Sequence, residues 1–198
     1  MRVALFVALI AIVSACSTGP ASSASLNPLD GGASIASGPR ISPPPVTPPT
    51  PPNTSVPDFA CSDASGGTTG AANFTAARVA ELQNYDRFVL QLDAIVPTFT
   101  VKRQDKPVFP LGATGQTITL SGTTGVLVTV HSATGTTTFT GPNDLVHPEN
   151  QILVEARQTQ DFEGYVSWGL GLSKPACMRV FTLSEPARLV VDFQTSAR

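Results

Sequence analysis

The sequence predicts an all-β domain, a two-sheet β-sandwich of seven to eight short strands. Three observations carry this reading. From about Phe74 onward, apolar residues alternate with others at period two. The stretches between are rich in Gly, Thr, Pro, Asn and Asp, as in Ser121-Gly-Thr-Thr-Gly125 and Thr140-Gly-Pro-Asn-Asp144. No segment shows a persuasive apolar stripe at 3.6-residue spacing over a helical length.

Taken in order, Thr75 to Asn84 is the ambiguous stretch. Its run Ala76-Ala-Arg-Val-Ala-Glu-Leu82 is rich in helix formers, so helix stands beside strand there. Phe88, Leu90 and Leu92 then alternate with Arg87, Val89, Gln91 and Asp93, and Ile118 and Leu120 alternate with threonines. Val126, Val128 and Val130 alternate with Leu127, Thr129 and His131. Ile152, Val154 and Ala156 alternate with Leu153, Glu155 and Arg157, and Leu189, Val191 and Phe193 with Arg188, Val190 and Asp192. Val166, Trp168, Leu170 and Leu172 share one face. Tyr165, Ser167, Gly169 and Gly171 share the other, where bare backbone suits close approach of a ligand or a second sheet. These side chains suffice for a core of about 120 to 140 residues, within the ordinary domain range; the domain is read as residues 58–198.

Residues 1–15 read as a removable leader. Arg2 supplies a positive start, Val3 to Val13 is an apolar run too short to span a bilayer, and small residues follow. Val13-Ser-Ala-Cys16 looks like a bacterial lipobox, in which Cys16 takes a diacylglyceryl group and cleavage falls before it. An ordinary cleaved signal or an uncleaved apolar anchor is the alternative. Two acyl chains give stable attachment, so the membrane, reached through lipidated Cys16, is an expected partner. The chain is expected on the extracytoplasmic face of the cell membrane. Residues 16–57 form a Pro-rich linker: residues 17–57 hold eleven of the eighteen prolines, no aromatic residue, and only Asp30 and Arg40 as charges. Its Ser42–Asn53 stretch favours polyproline II, a semi-rigid spacer of about 3.1 Å per residue.

Composition narrows the partners. Net charge is −2 over 198 residues, and no basic stripe stands out in the chain, which argues against nucleic acid. Three lysines against nine arginines, with abundant Ala, Thr, Gly, Val and Pro, fit a GC-rich genome such as an actinobacterial one. With Cys16 assigned to lipid, Cys61 and Cys177 remain as an even pair in an oxidising compartment, read as a disulfide; two free thiols are the alternative.

No catalytic constellation emerges, and neither a metal nor a cofactor is expected. His131 and His147 lie sixteen apart without ligand spacing, and a catalytic zinc usually takes three protein ligands. Both read as exposed. There is no Gly-x-Ser-x-Gly elbow. Asp161, Glu163 and Asp86 are the carboxylates considered for acid/base work, which needs a fixed separation in a cleft. The plainer reading makes Asp161-Phe-Glu-Gly164 a turn between strands, with Asp161 as turn former, Phe162 buried and Gly164 for backbone freedom. Asp86-Arg87 then reads as a turn followed by a surface charge. Asp161, Glu163, Tyr165, Ser167 and Trp168 are retained as candidate binding residues, with Trp168 either stacking on a sugar or packing in the core.

Several stretches together resemble the AMIN-like domain of actinobacterial lipoproteins. Tyr85 to Arg103 is similar to the family's opening hairpin, and Thr140-Gly-Pro142 to one of its turns. Asp161-Phe-Glu-Gly-Tyr-Val-Ser-Trp-Gly-Leu-Gly-Leu172 is similar to the most distinctive family segment, and Arg179 to Phe193 to its end. The resemblance covers roughly residues 74–194. It implies a β-sandwich module of the cell envelope, without known catalysis, that localises proteins through peptidoglycan or an envelope protein. Residues and resemblance together lead to a non-catalytic, lipid-anchored envelope module. A carrier of a small hydrophobic ligand held between the sheets is the alternative, followed by a hydrolase using Asp161 or Glu163.

Overall fold

The computed structural model describes residues 56–195. Cys16, the leader 1–15 and nearly all of the linker 16–57 lie outside the described residues. Alternating side chains sort the domain into two facing layers. The strands are β1 (Ala64–Gly66), β2 (Ala72–Leu82), β3 (Tyr85–Leu92), β4 (Phe99–Gln104), β5 (Val108–Leu111), β6 (Gln116–Thr119) and β7 (Thr124–His131). They continue with β8 (Ala133–Thr134), β9 (Asp144–Val146), β10 (Leu153–Phe162), β11 (Tyr165–Leu172), β12 (Met178–Ser184) and β13 (Ala187–Gln194). One sheet runs β1-β4-β7-β11-β10-β9, the other β12-β13-β3-β2-β8, and β5 and β6 form a separate hairpin. All pairings are antiparallel except β2 with β8. The fold is the expected all-β sandwich, with thirteen strands among the described residues rather than seven or eight. The additional ones are mostly two to four residues long, too short for alternation to register.

Between the sheets lies a filled core. Val101, Val126, Val128, Val166, Trp168 and Leu170 from one layer meet Phe74, Phe88, Leu90, Leu189, Val191 and Phe193 from the other. Trp168 and Phe88 approach across the layers with ring centroids 5.5 Å apart. Each such fully buried side chain contributes about 1.5–3 kcal/mol from apolar burial.

One open choice is settled and three local readings are corrected. Thr75–Asn84 is not helical: β2 reaches Leu82 because Ala77 and Val79 pair with Leu90 and Phe88 and pack on the core. Tyr85–Arg103 is not a hairpin, since β3 and β4 belong to different sheets and the buried Val96 lies in the crossing between them. In β10 the alternation slips at a register shift between Leu153 and Glu155. Ile152, Leu153 and Ala156 therefore enter the core cluster and Val154 does not. Asp86 is not at the surface. It is fully buried, and its Oδ2 accepts hydrogen bonds from the backbone N–H groups of Ile152 (2.7 Å) and Leu153 (2.9 Å). Those bonds hold the start of β10 against the start of β3.

The outer face of the six-stranded sheet explains the glycines of β11. An added Cβ at Gly169 would sit 2.6 Å from Cδ2 of Phe109, and one at Gly171 would run into the carbonyl oxygen of Ser121. Gly125 on β7 meets the same Phe109 ring. The close neighbour expected at these glycines is the protein's own β5–β6 hairpin and the Ser121 segment after it. Phe109 is fully buried there. Cys61 and Cys177 are joined by a disulfide that closes a separation of 116 residues.

Candidate functional site

Docking of the β5–β6 hairpin leaves an open cleft beside it, about 660 Å³ in volume. Three segments line it. The hairpin turn contributes Leu111 to Thr114 and Gln116; the loop after β8 contributes Gly135, Thr136, Phe139 and Asn143; β10 contributes Gln158 to Phe162. That volume suits a small ligand or a few sugar units, within the usual range for binding sites.

Each wall has a local cause. The hairpin is held to β10 by the N–H of Gly112 donating to the carbonyl of Thr159 (2.8 Å). Asn143 is placed by its carbonyl, which accepts from the N–H of Gln158 (2.8 Å). Phe139 packs against Phe74 and Trp168, at 4.5 and 6.0 Å between centroids, and is only partly buried. The loop that carries it is organised by Asp161. The Asp161 carboxylate accepts from the hydroxyl of Thr134 (3.0 Å), the N–H of Gly135 (2.9 Å) and the hydroxyl of Thr136 (3.5 Å). Gly135 is essential to this loop, because a Cβ there would collide with the ring of Phe74. Next to the cleft, Asp144 pairs with Arg157 at 3.3 Å. Burial, and then the neighbouring charge of Glu155, hold the Asp144 carboxyl above its ordinary pKa.

The residues singled out from sequence divide. Asp161 lines the cleft and is engaged as a loop anchor. Glu163 lies in the two-residue connection from β10 to β11, where Glu163 and Gly164 have φ of 50° and 77°. Positive φ at both central positions is the signature of a tight hairpin turn; the turn is shorter than expected, because β10 runs to Phe162 and Asp161 is a strand residue rather than the turn former. Phe162 is not buried as expected: it is 51% exposed at the cleft. Tyr165 is exposed but turns toward His131, with the rings 5.0 Å apart, and does not line the cleft. Ser167 is buried, its hydroxyl 3.1 Å from that of Thr129. Trp168 is wholly inside the core. The strand alternation that puts Val166 and Leu170 inward takes Trp168 with them, so neither Ser167 nor Trp168 presents a surface to a ligand. His131 is half-buried rather than open, and His147 lies 3.1 Å from Glu149.

Gln158, Gln160, Asn143, Thr136 and Phe139 were not singled out from sequence. A signal existed in Arg157-Gln-Thr-Gln-Asp-Phe162, a strand end made of long polar side chains and closed by an aromatic one. The partner segments were invisible, because they reach the cleft only through tertiary contacts with β10, from Gly112 to Thr159, Gln158 to Asn143 and Gly135 to Asp161. Among the described residues no group of three or more His, Cys, Asp and Glu side chains is placed to hold a metal ion, and no helix is long and apolar enough to cross a membrane.

The domain is a β-sandwich with an open cleft of mixed polar and apolar lining beside β10. The chain belongs to the AMIN-like domain family, whose model matches residues 72–195. Membership puts it among extracytoplasmic cell-envelope domains. No curated protein and no solved structure matches the chain.

Proposed function

We propose that this protein is a non-catalytic, lipid-anchored module of an actinobacterial cell envelope, and that its cleft binds the glycan of peptidoglycan. The observation that carries the reading is the composition of the cleft. Gln158, Gln160 and Asn143 supply amides, Thr114 and Thr136 supply hydroxyls, and Phe162 presents an exposed ring at one end. Sugars require that combination: amides and hydroxyls donate to and accept from their hydroxyls, and an aromatic face covers their apolar C–H surface. Family membership supports an envelope setting. A ligand carried between the sheets is disfavoured by the filled core around Trp168.

The test is retention of the chain on purified peptidoglycan. Wild-type chain should be retained and a Gln158→Ala/Gln160→Ala variant released. No retention above an unrelated β-sandwich control would sink the wall-binding reading, and equal retention of both forms would move binding away from the cleft. Anchoring is tested separately. Cys16→Ser removes the thiol that accepts lipid, and the protein should lose its detergent partitioning while keeping its affinity for the wall.

A further inference from the structure

We propose that the outer face of the five-stranded sheet docks on an anionic phospholipid surface. The face is built by β12, β13, β3 and β2. Their pairing brings Arg179, Asp192 and Arg87 into one row across the sheet, with Arg188 beside Gln91 and Arg78 beside Val89 in the adjoining rows. These four arginines are far apart in sequence, which is why no basic stripe is visible there. Asp192 is the one carboxylate that these four strands place on this face among the described residues. On the strands themselves four guanidinium groups face one carboxylate; the bordering turns add Glu185, whose carbonyl accepts from Arg188, and Asp93, bonded to Asn73, so the excess of positive charge lies on the strands and not at the rim. Lys102 and Lys106 lie on or next to β4, in the other layer.

The row is stiffened from within. Asp192 is fully buried and accepts from Arg87 (Nε 2.6 Å, Nη2 2.9 Å) and from Nε of Arg179 (2.7 Å). Arg179 stacks over Phe59 and Tyr85, and Arg87 over Tyr85 and Phe181, at 4.5 to 5.6 Å from the ring centroids. Guanidinium groups held on aromatic faces and by a shared carboxylate lose little freedom when an anion arrives. The four strands span about 14 Å at the usual spacing, wide enough to meet more than one headgroup.

The route of the chain selects a membrane as the occupant. Phe59 lies on this face, over Arg179, and Ala60 bridges Met178 on β12. The residues leading back to Cys16 therefore join the domain at the arginine face. None of the residues lining the cleft lies on β12, β13, β3 or β2, so the two surfaces share no residue. The choice of a membrane over another polyanion rests on the lipid-anchored reading of Cys16; the charge pattern does not.

The test uses the full chain with Cys16→Ser, so that acyl chains contribute nothing. It measures the excess of binding to phosphatidylcholine vesicles containing phosphatidylglycerol over binding to phosphatidylcholine alone. That difference cancels the apolar leader, which is common to every variant. Arg78→Gln/Arg188→Gln leaves the Asp192 cluster intact and should cut the excess about 25-fold, from roughly fivefold per basic side chain at an anionic surface. Lys102→Gln/Lys106→Gln removes the same charge from the other layer and should leave most of the excess. Raising salt should abolish it. Equal losses in the two double variants would reduce the effect to net charge and overturn the proposal. So would no excess on the anionic vesicles, or binding to soluble polyphosphate with none to vesicles. Wall retention is read in a separate assay, so failure here and failure of the glycan reading are distinguishable.

Discussion

Gly169→Ala tests whether the cleft depends on the hairpin packed behind it. The new Cβ would lie 2.6, 2.8 and 2.9 Å from Cδ2, Cγ and Cε2 of Phe109, inside any real contact distance. The ring has little room to retreat, because it is fully buried and also rests on Gly125. Overpacking of this kind costs about 1–3 kcal/mol. Phe109→Ala removes the ring instead and costs about 3–5 kcal/mol. Once the ring is gone, the Cβ at position 169 meets empty space. The double variant should therefore be no less stable than Phe109→Ala alone, a coupling of about 1–3 kcal/mol where independent sites add to within about 0.5 kcal/mol. Urea unfolding followed by Trp168 fluorescence measures all four stabilities. Leu111 to Gln116 form a cleft wall at the end of this hairpin, so Gly169→Ala should also weaken glycan retention. Simple additivity of the two costs, or a Gly169→Ala protein as stable as wild type, would refute the packing argument.

Three further expectations follow from other parts of the fold. Replacing Cys61 and Cys177 by Ala opens a loop closed over 116 residues and should cost about 4–5 kcal/mol on chain entropy, measured by thermal unfolding with and without reductant. Asp192→Ala strips two arginines of a fully buried partner and should cost about 3–5 kcal/mol; an unchanged urea midpoint would show the row to be decorative. Asp93 accepts from the side-chain amide and the N–H of Asn73, which lowers its pKa below the ordinary value. Its folded pKa lies below its unfolded pKa, so its contribution is complete above the ordinary carboxylate pKa of about 3.9. It is lost as pH falls through the lowered folded value. Asp93→Asn should narrow the stability difference between neutral and acid pH; an unaltered pH profile would contradict the assignment.

What was legible in the sequence follows from locality. Period-two alternation in Phe88–Leu92, Val126–Val130 and Leu189–Phe193 is set within each strand, so the all-β class and much of the core could be read directly. Glu163-Gly164 as a turn and Cys61 with Cys177 as a pair were legible for similar reasons: turn chemistry is local, and an even cysteine count needs no geometry. The burial of Trp168 was decided by its strand neighbours, and the structure removes it from the list of ligand contacts. Asp86 looked like a surface turn residue because its partners, the N–H groups of Ile152 and Leu153, are more than sixty residues away. Gly169 and Gly171 announced a close neighbour without naming it, and only the tertiary fold identified Phe109 and Ser121. The cleft and the arginine face are tertiary in the same sense. Gln158 shares a wall with Asn143 and the hairpin turn, and Arg87 shares a carboxylate with Arg179, because strand order brings together segments far apart along the chain. Alternation states which side of a strand is apolar; which strand lies beside it, and hence which polar side chains meet, depends on the packing of the whole domain.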